Sequence, residues 1–134
     1  MSKYNCSCFC GSVRFEASLT SYNMSVCHCS MCRKLTGSTG FASLEFKDDI
    51  TYISRENLGT YDSSPNATRG FCKKCGTSLF DHYKPMNAYF VPPAIIENLP
   101  DEKIKLVEEI YYDNKPCYYT FANDTKKSYE PIES

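Results

Sequence analysis

Three cysteines fall within six positions of the stretch VCHCSMCRK, at Cys27, Cys29 and Cys32, with His28 between the first two. Two further pairs lie at a distance, Cys8 and Cys10 in CFCG and Cys72 and Cys75 in FCKKCGT. Nine cysteines in 134 residues would suit a disulfide framework in a secreted chain. Here the count is odd and the spacings are tight. The opening MSKYNCSCFC is polar, with no apolar stretch of signal-peptide length, and no run approaches the length that crosses a bilayer. The expectation is a soluble protein of the reducing cytoplasm, with the nucleus as a second compartment, whose cysteines bind metal rather than form bridges.

Structural zinc is usually closed by four ligands, often given by two short knuckles from separate parts of the chain. CFCG and FCKKCGT are two such knuckles, with Gly11 and Gly76 letting the backbone turn sharply around an ion. Cys8, Cys10, Cys72 and Cys75 are therefore predicted to hold one structural zinc, which would contribute on the order of 10 kcal/mol to folding. The alternative for CFC, a buried strand carrying small apolar thiols, does not explain its pairing with a C-x-x-C-G elsewhere. Cys27, Cys29 and Cys32 offer three thiolates and no fourth partner by spacing. Catalytic zinc keeps three protein ligands and one exchangeable position. Three thiolates give the complex a formal charge of about −1, which makes a poor Lewis acid for hydrolysis but a suitable holder of an incoming nucleophilic sulfur. The competing possibility is a second closed site, completed by Cys6, Cys117, His28 or His82. In an extended segment the His28 side chain points away from those of its neighbours. His82, in LFDHY, reads as a strand residue, and Cys6 and Cys117 as ordinary thiols. Arg33 and Lys34, directly after the last ligand, and Arg69 are the candidates for binding a substrate's carboxylates.

These residues need elements to position them. SVRFEASL alternates apolar and polar residues, the pattern of a half-buried strand, and GFASLEF, DITYIS, TSLFDHY, NAYFVP and CYYTFA continue the series. Turn signals such as SSPN separate them. Eleven tyrosines and eight phenylalanines suit pleated surfaces, so the fold class is mainly β. One short helix is predicted, capped by Ser30 over MCRKLT and closed at Gly37. LPDEKIKLVEEIYY is assigned a turn followed by a strand. The chain is expected to form one domain over residues 1–122, with a polar tail from 123 to 134 that frays. Fifteen Lys and Arg against 16 Asp and Glu leave no basic patch, which argues against nucleic acid or a membrane surface as partner.

The order CFCGSVRF, CHCSMCRKLTG and SSPNATRGFCKKCGTSL resembles the glutathione-dependent formaldehyde-activating enzyme family, which also contains centromere protein V. The resemblance runs from about Cys8 to Leu79 and more weakly to about Ala122. It implies an Mss4-like fold of several coiled antiparallel sheets with two zinc ions. It also implies that Cys8, Cys10, Cys72 and Cys75 hold the structural ion, and Cys27, Cys29 and Cys32 the catalytic one. The implied activity is that of a carbon–sulfur lyase joining formaldehyde to glutathione, with the thiol sulfur near the open zinc position. A non-catalytic zinc module that binds a protein partner is the alternative function.

Overall fold

The computed structural model describes residues 2–129, so residues 130–134 of the polar tail lie outside the description. Strands dominate. A three-stranded sheet has the order β1 (Lys3–Ser7), β2 (Arg14–Ser18), β5 (Thr51–Ser54). An eight-stranded sheet runs β11 (Lys126–Ser128), β10 (Lys105–Ile110), β3 (Asn23–Cys27), β4 (Phe41–Lys47), β9 (Ala88–Val91), β8 (Ser78–Tyr83), β7 (Ala67–Cys72), β6 (Leu58–Ser64). All pairings are antiparallel except the two that β10 makes with β3 and β11. No helix among the described residues is long and apolar enough to cross a membrane.

Alternation decides what each face does. On β4, Leu44 and Phe46 are buried in the main core with Phe15, Leu19, Leu79 and Val91, while Phe41, Ser43 and Glu45 face a cavity on the other side. Edge-to-face packing of Phe15 on Phe80, with ring centroids 6.2 Å apart, ties the small sheet to the large one.

The single α-helix among the described residues, α1 (Ser30–Thr36), is closed by Gly37 in the left-handed region (φ 66°), as the sequence predicts. Its start differs. The N-cap is Cys29, whose sulfur accepts the Cys32 N–H at 3.2 Å, and Ser30 is the first helical residue. A cysteine takes the cap because its sulfur is held at the head of the helix with two other thiols.

CYYTFA forms no strand. Its rings pack on His28 instead, Tyr119 at 5.8 Å and Phe121 at 6.1 Å between centroids, and the free edge of β10 is filled by β11. Where it is described, the segment from Asn123 returns to the sheet. Residues 126–128 pair with β10, and the Thr125 hydroxyl donates to Glu109 at 2.6 Å. LPDEKIKLVEEIYY does fold as a turn, Asp101–Lys103, followed by β10.

Candidate metal centre

Two separate groups of cysteines converge. Cys8 and Cys10 lie in the turn after β1, while Cys72 ends β7 and Cys75 follows in a tight turn. Gly11 and Gly76 adopt φ of 80° and 82°, a backbone only glycine takes at little strain, which lets each knuckle fold back on itself. All four sulfurs lie within 4.8 Å of one another, with Cys8 Sγ 3.6 Å from Cys10 Sγ and Cys10 Sγ 3.8 Å from Cys72 Sγ. A tetrahedral zinc with Zn–S bonds of 2.3 Å sets sulfurs about 3.8 Å apart, so the donor set fits such an ion. Backbone N–H groups already point at these sulfurs, from Val13 to Cys8 and from Lys74 and Cys75 to Cys72. The hydroxyl of Thr77 holds the Cys75 thiol down to about 5, and the thiolate is the form that binds metal.

The second group is Cys27, Cys29 and Cys32, all buried, with sulfurs again within 4.8 Å of one another. Among the described residues no fourth His, Cys, Asp or Glu joins them. Cys27 ends β3, Cys29 caps α1 and Cys32 lies in its first turn. Hydrogen bonds from Cys27 and Cys32 come first in holding the Cys29 thiol far below its usual range, followed by the Cys32 N–H and the charge of Arg69. The proton burden falls on Cys27, which its neighbours and burial push up.

This group opens on a cavity of about 350 Å³. The face of the large sheet paves it. Asn23 and Ser25 lead along β3 to Cys27, Phe41, Ser43 and Glu45 alternate on β4, and Asp81 and Glu108 come from β8 and β10. Arg69 of β7 reaches in beside the sulfurs. It is 8% exposed, with its guanidinium 3.5 Å from Cys32 Sγ and 3.6 Å from Asp81 Oδ2, and it donates to Ser63 Oγ at 3.2 Å. A buried cation beside the sulfurs stabilises their negative charge.

Other candidates are placed elsewhere. Arg33 donates to the carbonyls of His28 and Asn114, at 3.0 and 3.3 Å, which fastens loops, and Lys34 is exposed; neither lines the cavity. His82 stacks on Tyr89, with centroids 4.1 Å apart. Cys6 is fully buried and burial pushes its thiol up to about 12, so it stays an inert core thiol, while Cys117 is exposed and outside both groups. His28 points away from the sulfurs, as alternation along the strand requires. Its Nε2 lies 2.8 Å from Glu109 Oε1 and its Nδ1 2.6 Å from the Tyr119 hydroxyl, which donates to the Thr39 carbonyl.

This His28–Glu109–Tyr119 set is what the sequence pattern leaves unannounced. The one available signal is the double Glu in KLVEEI, since consecutive strand residues face opposite sides and one of the two must point inward. Glu109 is 2% exposed and is held by His28, Thr125 and Lys127. Glu109→Gln is expected to lower unfolding stability by about 1–3 kcal/mol in a urea titration, because it weakens a buried charge-assisted network. The variant should retain both groups of cysteines as metal ligands.

Fold and site together define a class: a β protein with two cysteine clusters able to hold metal ions, one made of four sulfurs and one of three that faces a cavity. The chain belongs to the glutathione-dependent formaldehyde-activating enzyme family, whose model matches residues 3–114. It is 33% identical over 126 residues to an uncharacterized lyase of Schizosaccharomyces pombe, covering 93% of this chain and 90% of that one. It is 34% identical over 123 residues to a putative glutathione-dependent formaldehyde-activating enzyme of Halomonas elongata, covering 82% and 75%. A crystal structure of a Rhodobacter sphaeroides protein superposes with a TM-score of 0.63 at 26% identity, covering 76% of this chain and 96% of that one.

Proposed function

We propose that the protein is a zinc-dependent carbon–sulfur lyase that joins and separates a thiol and a small carbonyl, with glutathione and formaldehyde as the pair its family suggests. The observation that carries this reading is the contrast between the two cysteine groups. Four sulfurs saturate one ion, whereas three sulfurs beside a cavity leave room for a ligand from outside. On this reading Cys8, Cys10, Cys72 and Cys75 hold a structural zinc and Cys27, Cys29 and Cys32 a catalytic one. A zinc ion bound there supplies a lowered thiol pKa and a fixed position for the sulfur. An Mss4-like fold, a cytoplasmic location and independence of nucleic acid and membranes belong to the same reading.

In the cleavage direction the C–S bond of a hydroxymethyl thioether breaks and its electron pair leaves on sulfur. The hydroxyl proton is lost and the C–O bond becomes the carbonyl. The chain's own contribution is to hold the sulfur and to take the proton. Arg69 stands beside the sulfurs, where negative charge grows as the bond breaks. Asp81 takes the proton. Its pKa is raised chiefly by burial, with a smaller upward push from the Cys29 thiolate opposed by Arg69, so its carboxyl exchanges protons nearer neutrality than an exposed one.

Asp81→Asn is expected to slow the reaction by about 10²-fold or more while both zinc ions remain, as measured by NMR exchange between formaldehyde and its thiol adduct together with metal analysis. Undiminished exchange in this variant would remove Asp81 from the mechanism. Absence of any catalysed exchange in the zinc-loaded parent, across a panel of thiols and small carbonyls, would remove the lyase itself.

A further inference from the structure

Phe41, Phe90, Ile110 and Tyr111 share two properties. They line the cavity, and they pack together with the three cysteines in one apolar cluster. A carbon joined to a sulfur received at Cys27, Cys29 and Cys32 has these side chains for neighbours. Phe41, Phe90 and Ile110 arrive there on β4, β9 and β10. Tyr111 arrives differently. Consecutive residues of an extended chain face opposite sides, so a continued strand would turn Tyr111 away from the side that Ile110 occupies. Its backbone is instead left-handed, with φ 53° and ψ 45°, and the ring packs on the same cluster as Ile110.

That conformation is unfavourable for a bulky side chain. Among the described residues the other non-glycine positions at positive φ are Asn87 and Asn98, and asparagine takes this region readily. The turn itself does not require a tyrosine. It is closed by the Asn114 N–H donating to the Tyr111 carbonyl at 3.0 Å, a main-chain bond that glycine would make equally well and without strain. Backbone strain of this kind clusters at functional sites, where the side chain it delivers is needed. Here the side chain is delivered to the cavity beside the sulfurs.

The chemistry of the adduct gives the ring a role. In a thiol adduct of formaldehyde the carbon joined to sulfur carries two hydrogens, whereas the adduct of a larger aldehyde carries an alkyl group in place of one of them. The hydrogen fits against a packed ring. An alkyl group must displace it, and packed side chains give way only at a cost.

We propose that Tyr111 is a specificity-determining residue for the carbonyl: its ring bounds the space beside the thiol sulfur and restricts the reaction to formaldehyde. The inference rests on the lyase reading above and concerns which carbonyl that site accepts. The sulfurs hold the thiol; the left-handed turn sets the size of its partner.

The test compares formaldehyde and propanal in exchange with their glutathione adducts, followed by NMR on the zinc-loaded full chain, together with urea titrations. In the parent, kcat/KM for formaldehyde is expected to exceed that for propanal by about 100-fold. Tyr111→Gly and Tyr111→Ala should each reduce this ratio to about tenfold or less, chiefly by raising the propanal rate, while Tyr111→Phe keeps it. Tyr111→Gly should also have a higher urea midpoint than Tyr111→Ala, because alanine retains a Cβ in the left-handed region. An unchanged ratio in both small variants, or a parent that accepts propanal as well as formaldehyde, overturns the role of Tyr111 and leaves the lyase reading in place. A Tyr111→Gly chain that fails to fold, or unfolds at lower urea than Tyr111→Ala, overturns it too, since the ring is then structural and the backbone unstrained. A parent that exchanges neither carbonyl overturns both readings.

Discussion

Cys8→Ser is expected to produce a chain that does not fold stably at neutral pH and binds one fewer zinc. Cys8 is 3% exposed and its sulfur sits among three partners drawn from opposite parts of the sequence. Without an ion the two knuckles are joined by little more than the Phe9 N–H donating to Thr77 Oγ1 and the contact of Ser12 Oγ with Cys72 Sγ, since their backbone bonds run mainly within each turn. Structural zinc contributes on the order of 10 kcal/mol, and a serine oxygen is a far weaker ligand than a thiolate, so a loss of about 5 kcal/mol or more follows. That approaches the whole stability of a domain this size. Circular dichroism against temperature, with zinc counted by mass spectrometry under native conditions, checks both parts. Strong chelators should unfold the parent in the same way. A Cys8→Ser chain that melts within a few degrees of the parent would show that the four sulfurs do not hold the fold together.

Cys29→Ser should behave in the opposite manner. Cys29 contributes a sulfur to the three-membered group and caps α1, and serine is a preferred N-cap, so the helix start survives the exchange. The packing behind it, in which Phe41 and Ile110 contact the cluster, is unchanged. The expected outcome is a folded protein with one zinc instead of two and a loss of thiol-dependent turnover of about 10³-fold or more. Cys29→Ala should show the same loss of activity and about 1 kcal/mol less stability, since the cap goes as well. Metal content, turnover and urea denaturation measured on both variants separate the two effects. If Cys29→Ser unfolds as badly as Cys8→Ser, the three sulfurs are structural and the proposed catalyst is lost.

Much of this was legible in residue order. The knuckle glycines, the alternation in FASLEF and RFEAS and the turn at SSPN each express a local rule, and each appears in the fold. Cysteine spacing was informative for a similar reason: ligands donated by short knuckles sit close in sequence. The cavity floor was not legible. Asn23, Ser25, Ser43 and Glu45 read as the polar face of strands turned to water, and only the pairing of distant strands brings them to one cavity beside the sulfurs. CYYTFA carries the residues of a strand, yet its rings find His28 and its edge position is taken by KKS, a segment of low strand propensity. Arg69, too, takes its role from neighbours that the linear order does not reveal, Asp81 across one strand pair and Cys32 at the helix.

The parallel pairing of β10 with β3 has a consequence for how the molecule matures on the ribosome. All seven cysteines of the two clusters, and the strands β1 to β9, have been synthesised before Lys105 leaves the exit tunnel. The nascent chain can close its four-sulfur clasp while the reactive trio still lacks the wall that carries Glu108, Glu109 and Ile110. Because that wall pairs with a strand some 80 residues earlier, its docking is a late, long-range closure. The interval in which the three thiols stand without that wall therefore ends only when β10 arrives.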